Sequence, residues 1–66
     1  MLSVIDVLGR TPSRSNVNLV LPHKGSDEPK TYEYVAHKVE AKWHYRQVKI
    51  WKHDDKFKDT VVIYLN

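Results

Sequence analysis

The sequence contains no cysteine and only two glycines among its 66 residues. Without cysteine the chain can form neither a disulfide framework nor a thiolate zinc site, so its folding must depend on a small packed core or on self-association. The scarcity of glycine excludes a glycine-rich phosphate-binding loop. Because structural disulfides are typical of oxidising compartments, their absence favours a reducing one, and we expect the protein to be cytoplasmic.

Long apolar segments are also missing. No stretch of the sequence approaches the roughly 20 apolar residues that a membrane-spanning helix requires. The first eight residues lack a basic region and reach Asp6 before a long apolar run develops, so they are not predicted to be a signal peptide. We therefore expect no membrane partner.

The length of the chain limits the chemistry that it can perform. Sixty-six residues are close to the lower size at which a chain folds alone, so we predict one domain over residues 1–66. A domain this small offers little shelter for desolvated chemistry. Its carboxylates, such as Asp54 and Asp55, fall in polar turns and its serines show no triad arrangement. We expect a non-enzymatic protein without a cofactor.

Four histidines make a zinc-type metal site a hypothesis to consider. No two of them have the i, i+4 spacing of a helical zinc site, and no thiolate can complete a tetrahedral set. We therefore predict no metal site and expect solvent-facing side chains for His23, His37, His44 and His53.

Two strands are predicted in the first third of the chain. Residues 2–8 are rich in branched apolar side chains and predict a short strand, and residues 16–21 alternate apolar and polar side chains as a half-buried strand does. Glycine, proline and serine indicate loops at residues 9–15 and 22–30.

The last third predicts a β-hairpin over residues 44–65. Residues 45–52 form its first strand, with Val48 and Ile50 facing the core, and residues 61–65 form its second. A polar turn at residues 54–56 joins the two strands.

The intervening segment, residues 31–43, has two interpretations. Apolar side chains at helical spacing favour a helix, with caps at Ser26, Asp27 or Thr31. The alternative is a strand with Tyr32, Tyr34 and Ala36 on one face. The helix gives a small α+β domain, ββαββ, with one helix packed on an antiparallel sheet; the strand gives a five-stranded small β-barrel. The apolar positions are Tyr32, Val35, Ala36, Val39 and Trp43.

Positive charge and aromatic side chains coincide in the hairpin. The net charge of +3 lies entirely in residues 37–66, which points to a polyanionic or acidic partner, although small proteins also carry such charge for solubility. If Val48 and Ile50 face the core, the opposite face is aromatic and basic. Aromatic rings can stack on the bases of a nucleic acid, and lysine amines can bind its phosphates. The alternative is that the tryptophans are ordinary core residues. The candidate binding residues are Trp43, Tyr45, Lys49, Trp51, Lys56 and Lys58.

Three kinds of partner remain open. The first is a nucleic acid bound by the aromatic and basic hairpin. The second is a larger protein, which the chain would block as a small regulator or inhibitor; this is an analogy of size with many phage-encoded accessory proteins. The third is a second copy of the chain, paired through the C-terminal strand, because residues 61–65 are apolar on both faces and would promote pairing if that strand lay at an edge.

Overall fold

A computed structural model describes residues 1–22, Gly25 and residues 29–66 of the chain. The predicted caps Ser26 and Asp27, His23 and part of the predicted loop 22–30 lie outside the described residues. The elements follow in the order α1 (Val4–Leu8), β1 (Asn16–Val20), β2 (Thr31–Val35), two 3₁₀ turns (Ala36–Lys38 and Ala41–Trp43), β3 (Val48–His53) and β4 (Thr60–Leu65).

The four strands form one open sheet in the order β2-β1-β4-β3. β1 is antiparallel to β2 but parallel to β4, and β3 is antiparallel to β4. The predicted α+β character is therefore observed, whereas an all-antiparallel sheet and a closed barrel are both wrong. The predicted hairpin is confirmed as β3 and β4.

The N-terminal segment forms α1 instead of the predicted strand. Ser3 precedes the helix, and the Asp6 carboxylate accepts hydrogen bonds from the Ser3 backbone N–H (2.8 Å) and from the Ser3 hydroxyl (2.9 Å). Val4 and Val7, three residues apart, are fully buried on one side of this helix. The local hydrogen bonds and the helical spacing outweigh the strand propensity of the branched side chains. In the described part of the chain, no helix has the length and apolar character needed to cross a membrane.

Residues 31–43 do not form the predicted helix. The first five residues form β2, in which Tyr32 lies opposite Leu19 and Tyr34 lies opposite Val17, so the strand interpretation is correct for this part. The chain then leaves the sheet at Ala36, whose N–H donates to the Ser15 carbonyl (2.8 Å), and continues through the two 3₁₀ turns. Backbone pairing with β1 outweighs the helical spacing of the apolar residues.

One face of the sheet, which we call the covered face, packs against α1 and the 3₁₀ turns. Alternate residues of the two central strands point towards these elements and are buried with them. The resulting core contains Val4, Val7, Val17, Leu19, Ala36, Val39, Trp43, Val48, Val61, Ile63 and Leu65. The opposite side of the sheet, the open face, has none of these elements packed against it among the described residues.

A β-bulge divides β3 into two parts with opposite orientation. Val48 lies opposite Leu65 and Ile50 lies opposite Tyr64, so Lys49 is an extra residue without a partner on β4. The prediction that Val48 and Ile50 both face the core is therefore wrong for Ile50. Val48 is buried, whereas Ile50 lies on the open face with 58% of its surface exposed.

The C-terminal strand β4 occupies the middle of the sheet. Both of its sides are hydrogen-bonded, one to β1 and the other to β3. A second copy could not pair with this strand edge to edge without displacing a neighbour, so the prediction of a homodimer through this strand lacks the free edge that it requires. Val61, Val62, Ile63 and Leu65 of this central strand are all buried, which accounts for its continuous apolar run.

Candidate nucleic-acid interface

The structure does not keep the six predicted binding residues on one face. Because the bulge at Lys49 reverses the alternation of β3, Trp51 lies opposite the buried Ile63 and points towards the covered face. Trp43 belongs to the second 3₁₀ turn and also lies in the core. The single stripe that the sequence predicts is therefore wrong as a geometric unit.

Trp43 is an anchor of the core. Its indole N–H donates a hydrogen bond to the Tyr34 hydroxyl (2.9 Å), and its ring lies 5.2 Å from that of Tyr32 in a tilted arrangement. The Lys42 ammonium and the Arg46 guanidinium lie over the ring, 5.3 and 5.6 Å from its centroid. With only 6% of its surface exposed, Trp43 offers no face on which a base could stack. The interpretation as an ordinary core residue is confirmed for Trp43.

Trp51 and Tyr45 lie away from the open face. Trp51 is half-buried against the core, and its ring meets that of His53 edge to face at 5.9 Å. Tyr45 lies in the turn between the second 3₁₀ turn and β3, with 84% of its surface exposed. Tyr45 is thus accessible, but it is separated from the basic residues of the hairpin loop.

Two lysines and two apolar side chains form a hollow on the open face of the hairpin. Lys49 and Lys52 flank Ile50 and Tyr64, which lie opposite each other on β3 and β4, and together they enclose about 230 Å³. We call this space the lysine hollow. No acidic residue from the described part of the chain lines it.

A second hollow adjoins the first at the end of the sheet and shares Tyr64 and Lys49 with it. It measures about 530 Å³ and is mainly apolar. We call it the proline hollow. Among the described residues its lining contains no carboxylate side chain; it is formed by Val20, Leu21, Pro22, Pro29, Lys49, Tyr64, Leu65 and Asn66.

The third hollow, the loop hollow, lies at the opposite end of the open face and has mixed charge. It is an open space of about 850 Å³ beneath the β3–β4 loop. Lys56 and Lys58 line it, but three acidic residues, Glu33, Asp54 and Asp59, line it as well. The two predicted lysines are therefore exposed, but they lie in a locally neutralised environment.

Asp54 orders the loop that carries Lys56. Its Oδ1 accepts hydrogen bonds from the backbone N–H groups of Phe57 (2.9 Å) and Lys56 (2.8 Å). These two bonds favour the charged form and hold the pKa of Asp54 below its usual value. Phe57, which follows this turn, has 62% of its surface exposed.

Sequence reasoning missed four residues of the open face: Ile50, Lys52, Phe57 and Tyr64. Ile50, Lys52 and Tyr64 lie on this face because of the register of the hairpin, which the bulge changes. No short sequence motif predicts that register. The sequence did contain a signal for Tyr64. Successive residues of a strand point to opposite faces, so Tyr64 must point away from the face on which Ile63 and Leu65 lie.

Within residues 1–22, Gly25 and residues 29–66, no group of three or more histidine or acidic side chains is arranged to hold a metal ion. Searches of protein-family models, curated proteins and solved structures found nothing that matches this chain.

Proposed function

We propose that this chain is a non-enzymatic protein that binds nucleic acid through the open face of its β3–β4 hairpin. One observation carries the proposal: Lys49 and Lys52 flank the exposed Ile50 and the half-buried Tyr64, and no acidic side chain of the described residues lines the hollow. Amines attract phosphates, and an aromatic ring beside them provides a surface on which a base can stack.

The location of the hollow on a sheet supports the proposal. A sheet with one face packed and the other in water holds its side chains in a fixed array, because the backbone ladder positions every second residue. Lys52 lies opposite the buried Val62 of the central strand β4, so its backbone is held in register. The charge of Lys52 therefore projects from a paired position of the strand, and that of Lys49 from the bulge within the same strand.

Of the six residues predicted from the sequence, Lys49 is the one that this proposal places at its centre. Lys56 and Lys58 serve as outlying contacts at the loop hollow, where the acidic residues reduce their net attraction for phosphate. Trp43, Tyr45 and Trp51 have no direct role in it.

The test is the binding of fluorescein-labelled single-stranded and duplex oligonucleotides, followed by anisotropy at several salt concentrations. We expect affinity to fall as salt rises, because each phosphate contact releases counterions. Reversing two contacts, in Lys49→Glu with Lys52→Glu, should reduce the slope of log K against log salt by roughly 1.4 for a single strand, at about 0.7 per contact.

The matched control reverses two exposed basic residues elsewhere, Arg14 and Lys38, to glutamate, which changes the net charge by the same amount. This control should keep most of the affinity at moderate salt. An equal loss in both double variants would show that only net charge matters and would overturn the assignment of the open face. Absence of binding to every oligonucleotide at low salt would overturn the function itself.

A second candidate function is favoured by the exposed apolar side chains. Ile50 and Phe57 are large, more than half exposed and on the open face, as anchors of a protein interface are. If the chain acts as a regulator that blocks a protein partner, its affinity for that partner should depend on these two apolar anchors more than on the lysines. Isolation of a partner whose binding is lost in Ile50→Thr and Phe57→Ser but retained in the lysine reversal would favour this candidate.

A further inference from the structure

The lysine hollow and the proline hollow share two residues, Tyr64 and Lys49. Tyr64 therefore borders both spaces, with Ile50 lining one of them and Val20 lining the other. The lysine hollow lies on β3 and β4, the proline hollow extends to Val20 of β1, and each is bordered by the same aromatic residue and the same amine.

The order of a hollow, a shared amine and a second hollow corresponds to the order of groups in a single-stranded nucleic acid, in which each planar base is followed by a phosphate and then by the next base. Unpaired bases can leave the strand and pack against aromatic and apolar side chains. In a duplex the bases are stacked and paired inside the helix, so a duplex presents mainly phosphates to a shallow apolar hollow.

We propose that the open face accommodates two consecutive bases of a single strand, one in each hollow on either side of Tyr64, with Lys49 at the phosphate between them. This inference rests on the proposed function and adds to it the class of nucleic acid and the position of the bases. Lys52, which lines only the lysine hollow, is then placed for the neighbouring phosphate.

The charge distribution over the open face is consistent with this placement. Within the described residues, the lining of both hollows contains lysines and no acidic side chain, whereas Glu33, Asp54 and Asp59 line the loop hollow. As far as the described residues determine the charge, a nucleic-acid strand along the open face is attracted most strongly at the end that carries Tyr64.

The first experiment follows the methyl signals of isotope-labelled protein by NMR during titration with the adenine dinucleotide ApA, in ribo and deoxy forms. Stacked adenines should shift the methyl signals of Ile50 and Val20 together, because one base occupies each hollow. A self-complementary DNA duplex should shift lysine signals and leave these methyl signals unchanged. Equal methyl shifts with the duplex would overturn the inference, as would ApA shifts confined to one hollow or to the surroundings of Tyr45.

The second experiment measures affinity for labelled single strands of about 8 nucleotides, a length within the roughly 4–16 that a single-strand site covers. Tyr64→Leu should weaken binding about 5-fold or more, because it removes the ring that both bases contact. Tyr64→Phe keeps the ring and should bind with the affinity of the parent. Tyr45→Leu, which removes an exposed ring outside the hollows, should leave the affinity unchanged. Circular dichroism and thermal unfolding of each variant verify that the sheet is intact.

The outcomes separate the two proposals. If single strands and duplexes bind with equal affinity and Tyr64→Leu binds as well as the parent, nucleic-acid binding stands and the two-base inference is overturned. If neither form binds at low salt, both are overturned. A loss of affinity in Tyr45→Leu without a loss in Tyr64→Leu would move the site away from the hollows and would also overturn the inference.

Discussion

The indole N–H of Trp43 donates to the Tyr34 hydroxyl across 2.9 Å, which joins the second 3₁₀ turn to the edge strand β2. This bond ties an irregular part of the chain to the sheet. Because the indole is largely buried, the hydroxyl satisfies an N–H group that would be costly to leave without a partner. The bond therefore contributes to stability as well as to the position of the turn.

We expect Tyr34→Phe to destabilise the fold by about 1–2 kcal/mol, since it removes the hydrogen bond and leaves a buried donor without a partner. For a domain of this size that corresponds to a decrease in Tm of roughly 4–8 °C per kcal/mol. The matched control is Tyr32→Phe, which keeps the ring beside Trp43 and should change stability by less than about 0.5 kcal/mol. Equal Tm values for the two variants would contradict this role of the bond.

The bulge at Lys49 gives Val48 and Ile50 opposite environments and therefore different sensitivity to substitution. Val48→Thr places a hydroxyl in the core and should cost about 1–3 kcal/mol. Ile50→Thr, on the exposed side, should change stability by less than about 0.5 kcal/mol. Threonine keeps a β-branched side chain at both positions, so strand propensity is held nearly constant. Urea unfolding of both variants checks the register; a greater loss in Ile50→Thr would contradict the bulge.

The elements that sequence patterns predict well are those with simple alternation or a clear turn. β1, with Val17 and Leu19 buried between polar residues, follows from alternation alone. The hairpin follows from two apolar segments separated by polar residues, and its ends differ from the prediction by a few residues. Local patterns suffice for the hairpin because its two strands are consecutive in the sequence and pair with each other.

The parts that sequence patterns do not predict depend on long-range pairing. Tyr32 has helical spacing to Val35 and Ala36, and only the presence of β1 beside this segment selects a strand. The parallel contact of β1 with β4 joins segments that are more than 40 positions apart, as Asn16 and Thr60 show, so no local motif reports it. In contrast, α1 carried a readable signal in Ser3 and Asp6, a capping pair that predicts a helix start.

The basic character of the hairpin is readable from the sequence, but the residues that share one face of it are not. Lys49, one of the six predicted residues, lines the lysine hollow on the open face. The assignment of its neighbours failed because one extra residue in β3 exchanges the two faces beyond it. Trp51 thereby moved to the covered face and Ile50 to the open one.

The carboxylate of Asp6 should make stability depend on pH in the acid range. Hydrogen bonds from the backbone N–H and the hydroxyl of Ser3 hold the pKa of Asp6 below its usual value. Since the folded-state pKa is the lower one, the stabilisation is complete above the unfolded-state pKa of about 3.9 and is lost as the pH falls through the folded-state pKa. We therefore expect the Tm difference between the parent and Asp6→Ala to be largest near neutral pH and to shrink below about pH 4.

The control for this pH dependence is Asp55→Ala, at an exposed position in the β3–β4 loop for which the described residues show no side-chain hydrogen bond. Its Tm should follow that of the parent closely between pH 7 and pH 3. A constant Tm difference between the parent and Asp6→Ala over that range would show that the effect of Asp6 does not depend on its charge.

Asp54 provides a test of whether the β3–β4 loop is ordered by its two backbone hydrogen bonds. In Asp54→Ala the N–H groups of Lys56 and Phe57 lose their acceptor, so we expect faster amide exchange at these two positions and little change at Ile63 in the central strand. Asp54→Asn retains an oxygen that can accept both bonds and should preserve much of the protection. Because the bonds also hold the pKa of Asp54 below its usual value, protection in the parent should fall towards the level of Asp54→Asn only as the pH falls below about 4, after correction for the intrinsic exchange rate. Asp54→Asn, which does not titrate, should not show this change. Equal protection in Asp54→Ala and the parent would mean that contacts other than the Asp54 carboxylate order the loop.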